Sequence, residues 1–122
     1  MNKLILVLRI ILGAILVIFG SNKFIGFIPP FEFVNPDAGV FFEALAGSYV
    51  LKTVGIIEVI VGLLLLVNKA IPFALVVLAP ISINIILFHV TLDPINIGPG
   101  AFVFFVNALL IIKHWNTYKP LF

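Results

Sequence analysis

Glu58 stands in the middle of a run, Leu51 to Val67, whose only other polar side chains are Lys52 and Thr53 at its start. A carboxylate at that position sits at membrane depth, where a charge costs at least about 2.5–3.5 kcal/mol and therefore faces a partner or a watery cavity. Its chemistry there is that of an anchor: it accepts hydrogen bonds from, or pairs with, the polar head of a molecule whose remainder is apolar. Asn84, Asn107 and His89 add amide and imidazole donors and acceptors in later apolar segments, and Lys23, Lys52 and Arg9 add cations near segment ends. These seven residues are the candidate ligand-binding set. No catalytic or metal-ligating constellation is read. The absence of cysteine excludes disulfides and thiolate chemistry, and a single histidine with no second one nearby is a poor start for a metal site.

The elements that must position these residues are membrane spans. The 122 residues are 63% hydrophobic and 10% charged, with a mean hydropathy of +1.34, whereas a soluble domain carries about a quarter charged residues. Crossing about 30 Å of hydrocarbon takes roughly 20 mostly apolar residues. Four segments approach that length: Leu4 to Phe24, Val50 to Val67, Ile71 to Leu92 and Pro99 to Trp115. No A-x-A type cleavage motif follows the first segment, so it is kept as a span rather than read as a signal peptide. The expectation is one all-α domain over 1–122, an antiparallel bundle of four transmembrane helices.

Lys3, Arg9, Lys69, Lys113 and Lys119 fall on one side of this arrangement; Lys23 and Lys52 fall on the other, beside Glu32, Asp37, Glu43 and Asp93. The positive-inside rule then puts both termini in the cytoplasm. The basic residues form no stripe interleaved with exposed aromatics, which speaks against nucleic acid as a partner.

The long connection, Ile25 to Tyr49, is not a plain linker. Pro29, Pro30 and Pro36 break it, but Asn35-Pro36-Asp37 reads as an N-cap, a proline at the first helical position and an acid in the first turn, with Gly47 as a stop. A short helix over about 36–46 follows, with Phe41, Phe42 and Leu45 on or near one side and Phe31 and Phe33 just before it. It either lies in the interface with its phenylalanines in the outer leaflet or lids the bundle. The other connections, Asn68-Lys69 before Pro72 and Asp93-Pro94 to Pro99-Gly100, are tight turns that make their flanking spans antiparallel neighbours. Pro80 predicts a kink in the third span.

Helical spacing assigns the faces. Gly55, Glu58 and Gly62 share one face of the second span, Gly13 and Gly20 have the same seven-residue spacing in the first, and the two glycine faces are expected to pack together. Gly100, Asn107 and His114 mark the inward face of the fourth. Glu58, Asn84 and Asn107 each lie about eight residues from the outer ends of their spans, roughly 12 Å down at 1.5 Å per residue. Plainer readings stand beside the binding one. Arg9 snorkels or pairs internally, Asn84 and Asn107 glue helices, Lys23 and Lys52 serve outer headgroups, and His89 satisfies a loop carbonyl.

Arg9, Gly13, Gly20 and Lys23, the Glu43-Ala-Leu and Gly47-Ser-Tyr49 pieces, Lys52, Glu58 and Gly62, the run Leu63 to Leu66 with Asn68 and Pro72, and Leu78-Ala-Pro80 through Asn84, Phe88 and His89 together resemble the DoxX family of small bacterial four-helix membrane proteins. The resemblance covers nearly the whole chain, weakens after Pro94 and implies a bacterial inner membrane as the location. It implies a link to the membrane subunits of thiosulfate:quinone oxidoreductases, hence a quinone as possible cofactor, and the architecture is distantly similar to eukaryotic four-helix proteins that bind sterols or assist receptor assembly. With no cysteine and no cofactor motif, the chain departs from what an autonomous redox enzyme needs. The expected function is a cavity protein for a small amphipathic ligand, a quinone or lipid, acting as a redox accessory. The alternatives are an assembly or structural partner of another membrane protein or of a second copy, and a proton-coupled transporter.

Overall fold

The structure, a computed structural model, describes residues 3–28 and 32–122; Pro29 and Pro30, predicted to break the loop, and Phe31, predicted to join its aromatic face, lie outside the described residues. Helix α1 spans Lys3–Ile25, α2 Pro36–Ala46, α3 Val50–Val67, α4 Ile71–Leu92, α5 Ile97–Lys113 and α6 Trp115–Tyr118; short 3₁₀ turns cover Pro94–Asn96 and Lys119–Leu121. No strand occurs among the described residues. Four stretches, α1, α3, α4 and Pro94–Lys113, which joins the first 3₁₀ turn to α5, are long and apolar enough to cross a membrane. The protein is a multi-pass membrane protein whose outward faces carry large apolar side chains such as Ile60, Phe73 and Phe105.

The short helix α2 forms for the reasons its sequence gives. The Asn35 side chain accepts the Asp37 N–H at 2.9 Å, Pro36 needs no partner at the first helical position, and the Gly47 N–H closes the last turn on the Glu43 carbonyl at 2.8 Å. The helix of the fourth span, α5, differs from expectation at both ends, running from Ile97 to Lys113 rather than from Pro99 to Trp115. Pro99 falls in the first turn, where its missing N–H would have had no helical partner in any case. At the other end the His114 ring stands 2.9 Å from the Leu110 carbonyl, and the chain turns into α6.

Helices α1 and α3 form the most extensive contact in the bundle, and α4 with α5 the next. The glycine faces meet as expected. A Cβ placed on Gly62 would come within 2.7 Å of the Gly13 carbonyl oxygen, and one on Gly20 within 2.8 Å of that of Gly55. Backbone is packed on backbone, the geometry that small residues permit in a membrane.

The apolar core collects toward the end where α3 turns into α4, around Leu12, Leu16, Leu65, Leu75, Leu78 and Leu110. That turn is tight, with Asn68 and Ala70 both left-handed at φ 59° and 50° and the Lys69 N–H on the Leu64 carbonyl at 3.0 Å. Arg9 Nη1 donates to the Asn68 side chain at 2.8 Å, and the Tyr118 hydroxyl donates to the Pro72 carbonyl at 2.6 Å. This is the turn end. The opposite, lid end carries α2.

Candidate functional site: a cavity under the short helix

A cavity of about 690 Å³ opens between α1, α3, α4 and the first turns of α5 at the lid end, and α2 lies across it. Its walls are mostly apolar. Phe41, Phe42 and Leu45 of α2 turn into it, with Phe33 from the segment before. Phe41 stacks on Phe88 of α4 at a ring separation of 5.7 Å, and Phe33 meets the same ring edge-on at 6.0 Å. These contacts lay α2 over the cavity, as the lid reading expects.

The polar groups that face this space come from two places. Deep in the wall, Lys23 Nζ approaches Glu58 Oε1 at 2.7 Å, at an angle that makes an ion pair rather than an aligned hydrogen bond. Glu58 is 3% exposed. The glycines bring the pair together, since a Cβ on Gly20 would lie 3.1 Å from that of Glu58, and one on Gly55 would lie 3.1 Å from that of Lys23. Lys23, expected at the outer headgroups, is thereby corrected to an interior partner. It lies one helical turn after Gly20 on the same face of α1, and where the backbones touch, its stem leads inward.

Nearer the lid, buried His89 also faces the cavity. Its Nδ1 is 3.4 Å from Asp93 Oδ2 and 3.2 Å from the Asp93 carbonyl oxygen, and the Asn96 side-chain amide donates to both Asp93 carboxylate oxygens at 2.9 and 3.0 Å. Gly100 of α5 leaves room for the imidazole, whose Cδ2 would be 2.9 Å from a Cβ placed there. The carboxylate thus orients the ring. The four-residue spacing from His89 to Asp93, which directly follows α4, was visible in the sequence; that Asp93 turns inward, and that Asn96 holds it, was not.

The remaining candidates separate. Asn84 borders the cavity, exposed, with its amide donating to the Pro80 carbonyl one turn back at 2.8 Å. Asn107 is buried outside the cavity wall, accepting from Ser82 Oγ at 2.8 Å and donating to the Leu75 carbonyl at 3.0 Å, so both ends of its amide join α5 to α4. Lys52 is exposed in the first turn of α3 and stands off the wall. Arg9 is at the turn end with Asn68, away from Glu58. Among the described residues no three His, Asp or Glu side chains converge as a metal ion would require.

A profile of the DoxX family matches residues 4–91. The chain belongs to the DoxX family. No curated protein and no solved structure matches it. The DoxX match runs from α1 almost to the end of α4 and so includes Lys23, Glu58 and His89; it stops short of Asp93 and of α5, which carries Gly100 and Asn107.

Proposed function

We propose that this protein holds a small amphipathic molecule, a quinone or a lipid, in the cavity under α2, and that it serves a membrane redox system as an accessory subunit. One observation carries the reading. A space of about 690 Å³, within the roughly 300–1,000 Å³ of small-molecule sites, has apolar walls and an ion pair at membrane depth. A ligand carbonyl accepts from the Lys23 ammonium and a ligand hydroxyl donates to the Glu58 carboxylate, while the phenylalanines take the apolar remainder.

The test is extraction of the purified protein with organic solvent, followed by mass spectrometry. Wild-type protein is expected to release a stoichiometric quinone or lipid, and Glu58→Gln to release markedly less while remaining folded. The amide keeps the shape and part of the hydrogen bonding, and Lys23, near the end of its helix, is able to extend toward the headgroups. An empty wild-type cavity would leave the assembly reading in its place.

The family points to a bacterial inner membrane, and the charge asymmetry supports α2 on its periplasmic side and both termini in the cytoplasm. Single cysteines placed at Asn2 and at Gly39, in a chain that has none of its own, are expected to react with an impermeant maleimide from opposite sides. Reaction of both from the periplasmic side alone overturns that assignment.

A further inference from the structure

We propose that the cavity is loaded sideways from the bilayer, through a slot between α3 and α4, by a single-chain amphiphile that goes in head first and leaves its tail in the slot. This rests on the ligand-binding reading above.

The surfaces of α4 divide along its length. Leu78, Ser82 and His89 are buried, whereas Ile81, Ile85, Phe88 and Leu92 are half-buried and line the cavity. A third stripe, Pro80, Asn84, Leu87 and Thr91, spaced four, three and four residues apart, lines the same cavity yet is exposed. A stripe that touches the cavity and the surroundings at once is the edge of an opening. Facing it on α3 are the half-buried Val50, Leu51 and Val54. The two helices are joined at the turn end by 68–70, so the space between them has its apex there and widens toward the lid.

Side chains stand across the lid and turn sides. Phe33, Phe41, Phe42 and Leu45 fill the lid side over Phe88, and Leu65, Leu75 and Leu78 fill the turn side. A water-borne solute would have to pass the phenylalanines. The polar groups of the open edge are partly turned back on their own helix. The Thr91 hydroxyl donates to Leu87 O at 2.6 Å and one Asn84 amide hydrogen to Pro80 O at 2.8 Å, which leaves the Asn84 amide oxygen and its second N–H to meet a passing polar head. A molecule already dissolved in the bilayer slides its head past Asn84 to the Lys23 and Glu58 pair. Its chain remains between the apolar side chains of the slot.

The experiment uses the full chain in phospholipid vesicles with a monoacylglycerol probe that carries a photoreactive diazirine beside its ester. In wild type, labelling is expected at Phe19 and Val103 on the cavity wall as well as at the lipid-facing Ile60 and Phe105. Replacing Val54 and Leu87 together by Trp plugs the slot and is expected to abolish the interior labelling while leaving Ile60 and Phe105 labelled. Replacing the same two by Ala widens the slot, so interior labelling rises, and this variant carries the test should the plugged one fail to fold. Interior labelling that is equal in all three proteins overturns the slot while leaving a ligand in the cavity. Interior labelling absent from all three overturns the slot and, with it, the binding reading.

Discussion

At the turn end and at the lid end the same helices solve opposite problems. Toward the turn, α1 and α3 touch through Gly13 and Gly62, leucines fill the remaining space, and Arg9 with Asn68, Asn107 with Ser82, and Tyr118 with Pro72 satisfy polar groups by joining one segment to another. Toward the lid, Gly20 and Gly55 keep α1 and α3 just as close, yet α4 stands away, and the polar groups left there, Lys23, Glu58, Asn84 and His89, border a void. The difference lies in where the hydrogen bonds go. A polar side chain that bonds to a neighbouring helix draws that helix in, whereas Asn84, bonded to its own backbone, draws in nothing.

The comparison is broken most severely at the ion pair. Lys23→Met is expected to destabilise the protein by about 3–5 kcal/mol, because Glu58 is then a buried charge without its partner. The double replacement Lys23→Met with Glu58→Leu should recover most of that loss, since apolar groups of similar volume substitute well for a buried pair. Thermal unfolding in detergent reads both, and solvent extraction of the double variant should find no ligand. A double variant as unstable as the single one would mean that the pair is needed to shape the lid end.

A smaller effect is expected at the turn end, where packing rather than charge is at stake. Gly62→Ile puts a branched side chain where even a Cβ would stand 2.7 Å from a carbonyl oxygen, at a cost of about 1–3 kcal/mol or more, whereas Leu64→Ile should cost under about 1.5 kcal/mol. Equal melting temperatures for the two variants would show that the glycine contact does not hold this end together.

The smallest effect concerns Tyr118, outside the spans, whose hydroxyl is held above its ordinary pKa of 10.0 by burial. The unfolded chain ionises near that ordinary value and the folded chain only above it, so the stability tied to the neutral hydroxyl is complete below pH 10 and is lost as pH rises through the higher folded value. Tyr118→Phe is expected to cost about 0.5–1.5 kcal/mol at neutral pH through the lost bond to Pro72 and to remove that alkaline decline. Parallel stability profiles from pH 8 to 11 for the two proteins would mean that the hydroxyl is not buried in solution.

The elements were legible because each had a local cause. Asn35-Pro36-Asp37 and Gly47 delimit α2 whatever surrounds it, and the seven-residue glycine spacing finds its partner without knowledge of depth. The site was legible in depth but not in rotation. Counting from the helix ends put Asn84 and Asn107 on one level with Glu58, and nothing in their spacing said that Asn107 would turn to Ser82 while Asn84 turned back on Pro80. Lys23 was illegible for a different reason. A lysine one turn from a helix end reaches headgroups or interior with the same side chain, and only the packing of its neighbours decides between them.

The turn at 68–70 also sets how the molecule can flex. Two consecutive helices meet there through left-handed Asn68 and Ala70, and Arg9 grips the Asn68 side chain, so the apex is a fixed joint rather than a hinge. Farther along α4, Pro80 has no N–H to give the Val76 carbonyl, and the helical ladder lacks one rung at the point where the cavity begins. The compliant point of this arm is therefore partway along it. A load applied at the lid bends the outer half of α4 about Pro80 and leaves the leucine core near the turn at rest.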